Sequence, residues 1–116
     1  MKKIILIIIA AFVYSTAYCQ SKISIDSVSN HYGETVTVCS QVYGTKALEK
    51  VTFISLGAAY PNSPLTVVIF SKDRSNFKEA PEVMYDDKKI CVTGMLKEYN
   101  EKAEIIVTSP GDIIIQ

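Results

Sequence analysis

KKICVTGMLKEYNEKAEIIVTSPGD, residues 88–112, reads as two strands joined by a short polar turn. Ile90, Val92 and Leu96 fall on one parity, and Cys91, Thr93 and Met95 on the other. That is the period-2 pattern of a strand with one face buried. Gly94 interrupts the pattern, and an isolated glycine inside a strand predicts a bulge or a tight bend. Tyr99, Asn100, Glu101 and Lys102 make the turn, residues 103–108 form the return strand, and Pro110-Gly111 stops it.

Upstream, residues 71–87 are the longest break in the strand pattern. Pro81 suits a first helical position, where its missing N–H costs nothing, and Val83, Met84 and Tyr85 follow as a short helical turn. Before that break lies LTVVIF, residues 65–70, apolar almost throughout and so either buried on both faces or exposed on a binding face. A turn-rich passage, residues 57–64, separates it from a strand over 51–56, in which Ile54 and Leu56 oppose Val51 and Phe53 and leave the core face open. The polar residues 44–50 lead back to ETVTVCSQVY, residues 34–43, whose Val36, Val38 and Val42 predict a core face. Earlier still, Asp26 can cap a brief helical segment over 27–32, with Ile25, Val28 and Tyr32 as its apolar stripe and Gly33 as a left-handed stop. His31, the single histidine, sits in its last turn, suited to a backbone carbonyl or to the negative helix end. The order is three strands, a helical connection, then two strands. The expected fold is therefore all-β: a five-stranded Greek-key OB-fold barrel with a short N-terminal helical turn and a helical connection between strands three and four.

Four segments carry a family resemblance. NHYGETVTVCSQV resembles the opening turn and first strand of a family of small secreted bacterial OB-fold domains. LGAAYPNSPLTVVIF resembles its passage from second to third strand, and ICVTG with AEIIVTSPGDI its last two strands. Domains of this family are described as nucleic-acid-binding-like, and some relatives accompany secreted endonucleases. The resemblance spans roughly residues 25–113 and implies a binding module.

The chain has 116 residues, enough for one domain. Lys2 and Lys3 precede an unbroken apolar run over residues 4–13, too short for a comfortable membrane span, and Ala17-Tyr18-Cys19 fits a small-x-small cleavage site. Residues 1–19 are expected to be a signal peptide and 20–116 the OB-fold domain, secreted or periplasmic, with no membrane span after cleavage. The competing readings are a retained anchor, or a lipoprotein through Cys19, which the bulky Tyr18 disfavours. Cleavage removes Lys2 and Lys3, leaving 10 basic and 12 acidic residues on 97, a net charge of −2. That is not the strongly basic balance of a tight nucleic-acid binder.

Cleavage also reduces three cysteines to two, Cys39 and Cys91. An even count in an exported chain predicts a disulfide, the other reading being two buried thiols. In an OB barrel the first and fourth strands are antiparallel neighbours. Each cysteine lies on the parity opposite its strand's main apolar set, so both point to the same outer side.

Catalytic patterns are missing. A nucleophilic hydrolase needs a nucleophile, a base and an orienting group, and His31 stands in no such motif. Asp86-Asp87, the one acidic pair, reads as a solvated turn, and Arg74 is the only arginine. No enzyme, cofactor or metal site is expected. What remains is a surface. OB folds bind through the face of strands two and three and the flanking loops. Single-strand binding there needs aromatics for stacking and cations for phosphate. Phe53, Tyr60 and Phe70 lie on or near those strands, Lys46 follows strand one, Lys72 and Arg74 follow strand three, and Lys97, Tyr99 and Lys102 surround the final turn. These nine are the candidate ligand-binding residues, although Phe53 and Phe70 also fit a core and the lysines also fit ordinary solubilising charge. Two functions follow: a module binding single-stranded DNA or RNA, weakly, or another extended polyanion; or an envelope protein-interaction or stress-related OB domain without nucleic-acid binding.

Overall fold

The computed structural model describes residues 21–116, so the expected signal peptide and its expected cleavage site lie outside the described residues. Seven strands form one mixed sheet: β1 (Ser21–Ile23), β2 (Thr35–Ala47), β3 (Val51–Leu56), β4 (Leu65–Phe70), β5 (Lys89–Tyr99), β6 (Lys102–Ile106) and β7 (Ile113–Ile115). Among the described residues a four-residue helix, α1 (Pro81–Met84), and 3-10 segments over Ile25–Asn30, Ser71–Asn76 and Pro110–Asp112 are inserted between them. Among the described residues no helix is long and apolar enough to cross a membrane.

The order across the sheet is β1-β2-β3-β4-β6-β5-β7, with β2 also paired to β5. The β1–β2 and β4–β6 pairs are parallel and the others antiparallel. Five strands therefore form a ring of pairings, flanked by β1 and β7. The expectation of an all-β, five-stranded β-barrel is corrected: the fold is a seven-stranded mixed sheet with helical insertions. The physical reason lies in the two long strands. Residues 35–41 of β2 pair with β5, and its later part pairs with β3. In β5, Met95 still pairs with β2, and Leu96 already pairs with Ile105 of β6. Each long strand changes partner midway, and three-residue strands extend the sheet at either side.

Both changes of partner have a local cause. In β2 the register shifts between Val42 and Gly44, leaving Tyr43 as the extra residue of a bulge. In β5 the change follows Gly94, where an added Cβ would sit 2.5 Å from Ile105 Cγ2. Gly94 thus marks a tight bend with close approach of β6, and the bulge is on β2. The β5–β6 turn has Asn100 at φ 52° and Glu101 at φ 65°. Two positive φ values are what a two-residue hairpin turn needs to match strand twist.

Val36, Val38 and Val42 are buried, as their parity requires. The open choice on β3 resolves with Thr52, Ile54 and Leu56 facing the core. β4 is buried through Ile69 apart from the half-buried Thr66, and Phe70 emerges at its end. Tyr85, just after α1, is 1% exposed and fills the core beside Phe77. The first helical segment starts two residues earlier than expected and is 3-10: Ser24, not Asp26, caps it by accepting from the Asp26 N–H at 3.1 Å. Gly33 does take a positive φ of 87°. His31 Nδ1 lies 2.9 Å from Glu34 Oε1, so it meets a carboxylate three residues on.

Cys39 and Cys91 are directly opposite in the β2–β5 register and form a disulfide, with Cα atoms 3.9 Å apart. Thr37 and Thr93, one pair along on the same face, share a 2.7 Å hydrogen bond.

Candidate ligand groove

The groove lies across β2, β3, β4 and β6 and has a volume of about 530 Å³. Its shape follows from register. Ser55 of β3 pairs with Gly44 of β2 and Thr66 of β4, Thr66 with Glu104 of β6, and Glu104 with Lys97 of β5. Side chains in register across strands share a face. Ser55, Thr66 and Glu104 therefore form a polar floor in the middle of the groove. Lys46 and Phe53 are paired along the adjacent row.

The walls are aromatic. Tyr43 comes from the β2 bulge and is 54% exposed, Tyr99 from the β5–β6 turn and is 63% exposed, and Tyr60 from the β3–β4 loop and is 82% exposed. Phe53 lies half-buried on β3, and Leu48 closes the end at the β2–β3 loop. Lys46 and Lys102 stand on the rim. Lys102 Nζ donates to the Pro61 carbonyl at 2.6 Å, tying the hairpin turn to the β3–β4 loop. Thr45, also on the wall, donates its hydroxyl to the Glu82 carbonyl at 2.8 Å and ties α1 to β2. Burial holds the Glu104 carboxyl above its ordinary range, and the positive charge of Lys97 partly offsets this.

Of the nine candidate residues, five meet in this groove: Lys46, Phe53, Tyr60, Tyr99 and Lys102. Lys97 lies one strand beyond the floor, exposed, opposite Glu104. Phe70, Lys72 and Arg74 are elsewhere. Phe70 pairs with Val51 at the far end of β4, and Lys72 Nζ is 3.3 Å from Asp73 Oδ2. Arg74 donates to the carbonyls of Leu48 and Glu49 and staples the β2–β3 loop. Tyr43, Leu48, Ser55, Thr66 and Glu104 are groove residues that sequence reading passed over. Outward parity on strand one pointed to Tyr43; the floor residues carry no such signal until the strands are in register.

No family model matches the sequence, and no curated protein matches it. Solved structures do. An aspartyl-tRNA synthetase from Leishmania major Friedlin is similar at a TM-score of 0.55 and 17% identity, over 91% of this chain and 22% of that one. An asparaginyl-tRNA synthetase from Pyrococcus horikoshii is similar at 0.56 and 16%, over 81% of this chain and 22% of that one. OBody AM1L10, in a structure bound to hen egg-white lysozyme, is similar at 0.56 and 14%, over 87% of this chain and 98% of that one. The kinship is with the OB fold. It is shared with OB-fold-containing synthetase domains and with synthetic OB-fold scaffolds. The chain spans about a fifth of the length of the synthetases it matches. At such identities the likeness is one of fold alone, and function must be argued from the site.

Proposed function

We propose that this protein is a small exported binding module, not an enzyme, that takes single-stranded nucleic acid along the groove. The observation that carries the reading is the convergence of Tyr43, Phe53, Tyr60 and Tyr99 with Lys46 and Lys102 around one depression. Exposed rings offer stacking surfaces to unpaired bases, and lysines on the rim offer charge to the backbone. The four-residue α1 is too short to serve as a recognition helix for a duplex groove. The resemblance of the sequence to nucleic-acid-binding-like secreted domains supports the same reading.

Binding is expected to be weak, because the chain without its leader is net acidic, and steeply salt-dependent, because phosphate contacts release counterions. Fluorescence anisotropy of a labelled single-stranded oligonucleotide, titrated at several salt concentrations, measures both. Tyr99→Ala should cost about 1–3 kcal/mol if a base stacks there. Replacing Lys46 and Lys102 together should lower the salt slope by roughly one to two units, at about 0.7 per single-strand phosphate. A folded protein that binds no oligonucleotide at low salt sinks the reading.

A second reading, a protein-interaction domain, is favoured by Glu104. A carboxylate on the groove floor repels phosphate, and the exposed Leu48 and Tyr60 suit an apolar contact. The OBody bound to lysozyme illustrates protein recognition on a related scaffold. Under either reading the leader composition motivates export, and the intact mass of the exported protein is expected to correspond to a chain beginning at Gln20. A mass retaining residues 1–19, or lipid on Cys19, contradicts that.

A further inference from the structure

We propose that Glu104 is a specificity-determining residue that reads guanine, its carboxylate accepting the N1–H and N2–H of one base held in the groove. The proposal rests on the nucleic-acid reading above and adds to it a base preference.

The geometry begins with placement. Register puts Glu104 between Thr66 and Lys97 in the central row of the groove face, where neighbouring strands limit its access to water. Burial disfavours the bare charge and raises the proton affinity of the group. The ion pairs among the described residues are His31–Glu34 and Lys72–Asp73, so Lys97 does not close on Glu104. A half-buried carboxylate facing an open groove can accept donors from a ligand.

Two ligand groups offer the matching fork of two parallel N–H bonds: an arginine guanidinium and the Watson–Crick edge of guanine. The surroundings choose between them. Lys97 lies opposite Glu104, and Lys46 and Lys102 line the same groove. Three ammonium groups repel a cationic side chain and attract the phosphates on either side of a base. Guanine is neutral and brings those phosphates with it. Adenine and cytosine each present one amine beside a ring acceptor, so the second carboxylate oxygen meets a lone pair. Hypoxanthine keeps N1–H and lacks the N2 amine.

The test uses the purified, disulfide-bonded protein and thymidine undecamers carrying a single central guanine, hypoxanthine or cytosine. The guanine oligomer is expected to bind roughly tenfold tighter than the hypoxanthine oligomer, within the usual discrimination of a bidentate base contact. Glu104→Gln keeps the shape and removes one acceptor. It should bring the two affinities together. Equal binding of all three oligomers by the unaltered protein, or a guanine preference that survives Glu104→Gln, overturns the assignment and leaves nucleic-acid binding standing. Failure of every oligomer to bind at low salt removes both. Capture of an arginine-containing peptide, lost in Glu104→Gln, reassigns the carboxylate to a protein ligand and also overturns it.

Discussion

Replacing Cys39 and Cys91 together by alanine is expected to destabilise the protein by roughly 4 kcal/mol in the chain-entropy account. The bridge joins residues 52 apart in sequence, and the loop it closes contains β3, β4 and α1. Without it, the unfolded chain regains the freedom of that whole loop, and the β2–β5 pairing must form against it. Domains of this size have a total stability of about 5–15 kcal/mol, so the loss takes a large share. At about 4–8 °C per kcal/mol, the melting temperature should fall by on the order of 20 °C. Urea denaturation of the oxidised protein and the double variant measures the difference. A change under about 1 kcal/mol would mean that the β2–β5 ladder stands without the bridge. Two reactive thiols in the denatured, unreduced protein would remove the bridge altogether. The cysteines lie on the half of the ring away from the groove, so affinity per folded molecule should be unchanged.

The disulfide was legible in the sequence because two cysteines on matched parity needed only a strand order to meet. β3 and β4 were legible to the residue, since turn-rich stretches bound both. β2 ran four residues past its expected end: the Tyr43 bulge breaks the period-2 pattern that marks a strand, yet pairing continues through Ala47. β1 and β7 are three residues each, too short for any periodicity, and they turned an expected five-stranded barrel into a seven-stranded mixed sheet. The groove shows the same division. Loop position and residue type were enough to bring Lys46, Phe53, Tyr60, Tyr99 and Lys102 together. Residue type could not separate Arg74, which holds two loop carbonyls and does not line the groove, from Lys102, which holds one and does. Glu104 was invisible because its meaning depends on which residues of β4 and β5 stand beside it, and register is a property of pairs of strands.

Tyr85→Ala should cost about 3–5 kcal/mol, the range for deleting a fully buried aromatic side chain. Tyr85 follows α1 directly, is 1% exposed, and meets Phe77 edge-on with ring centroids 6.1 Å apart. Alanine leaves a ring-sized cavity between α1 and the strands, and an edge-to-face contact worth about 0.5–1.5 kcal/mol goes with it. Tyr85→Phe keeps the ring and should change stability by less than about 1.5 kcal/mol at pH 7. The two variants differ again in alkali. Burial pushes the Tyr85 hydroxyl above its ordinary value of 10.0, so the folded state holds that proton more tightly than the unfolded chain does. Stability must then fall as pH rises through the unfolded value, and Tyr85→Phe should lose less of it there; Tyr32, raised chiefly by burial, adds a loss that both proteins keep. The effect of Tyr85→Ala should also reach the groove. α1 is tied to β2 by the Thr45 hydroxyl on the Glu82 carbonyl, and Thr45 lines the groove wall. A loosened helix should therefore weaken ligand binding under conditions where the variant is still folded. Parallel denaturation curves for the three proteins, at pH 7 and above pH 10, decide the matter. An alanine variant within about 1 kcal/mol of the parent would show that the ring is not the plug of this core, and identical alkaline losses in parent and Tyr85→Phe would show that its hydroxyl is solvated.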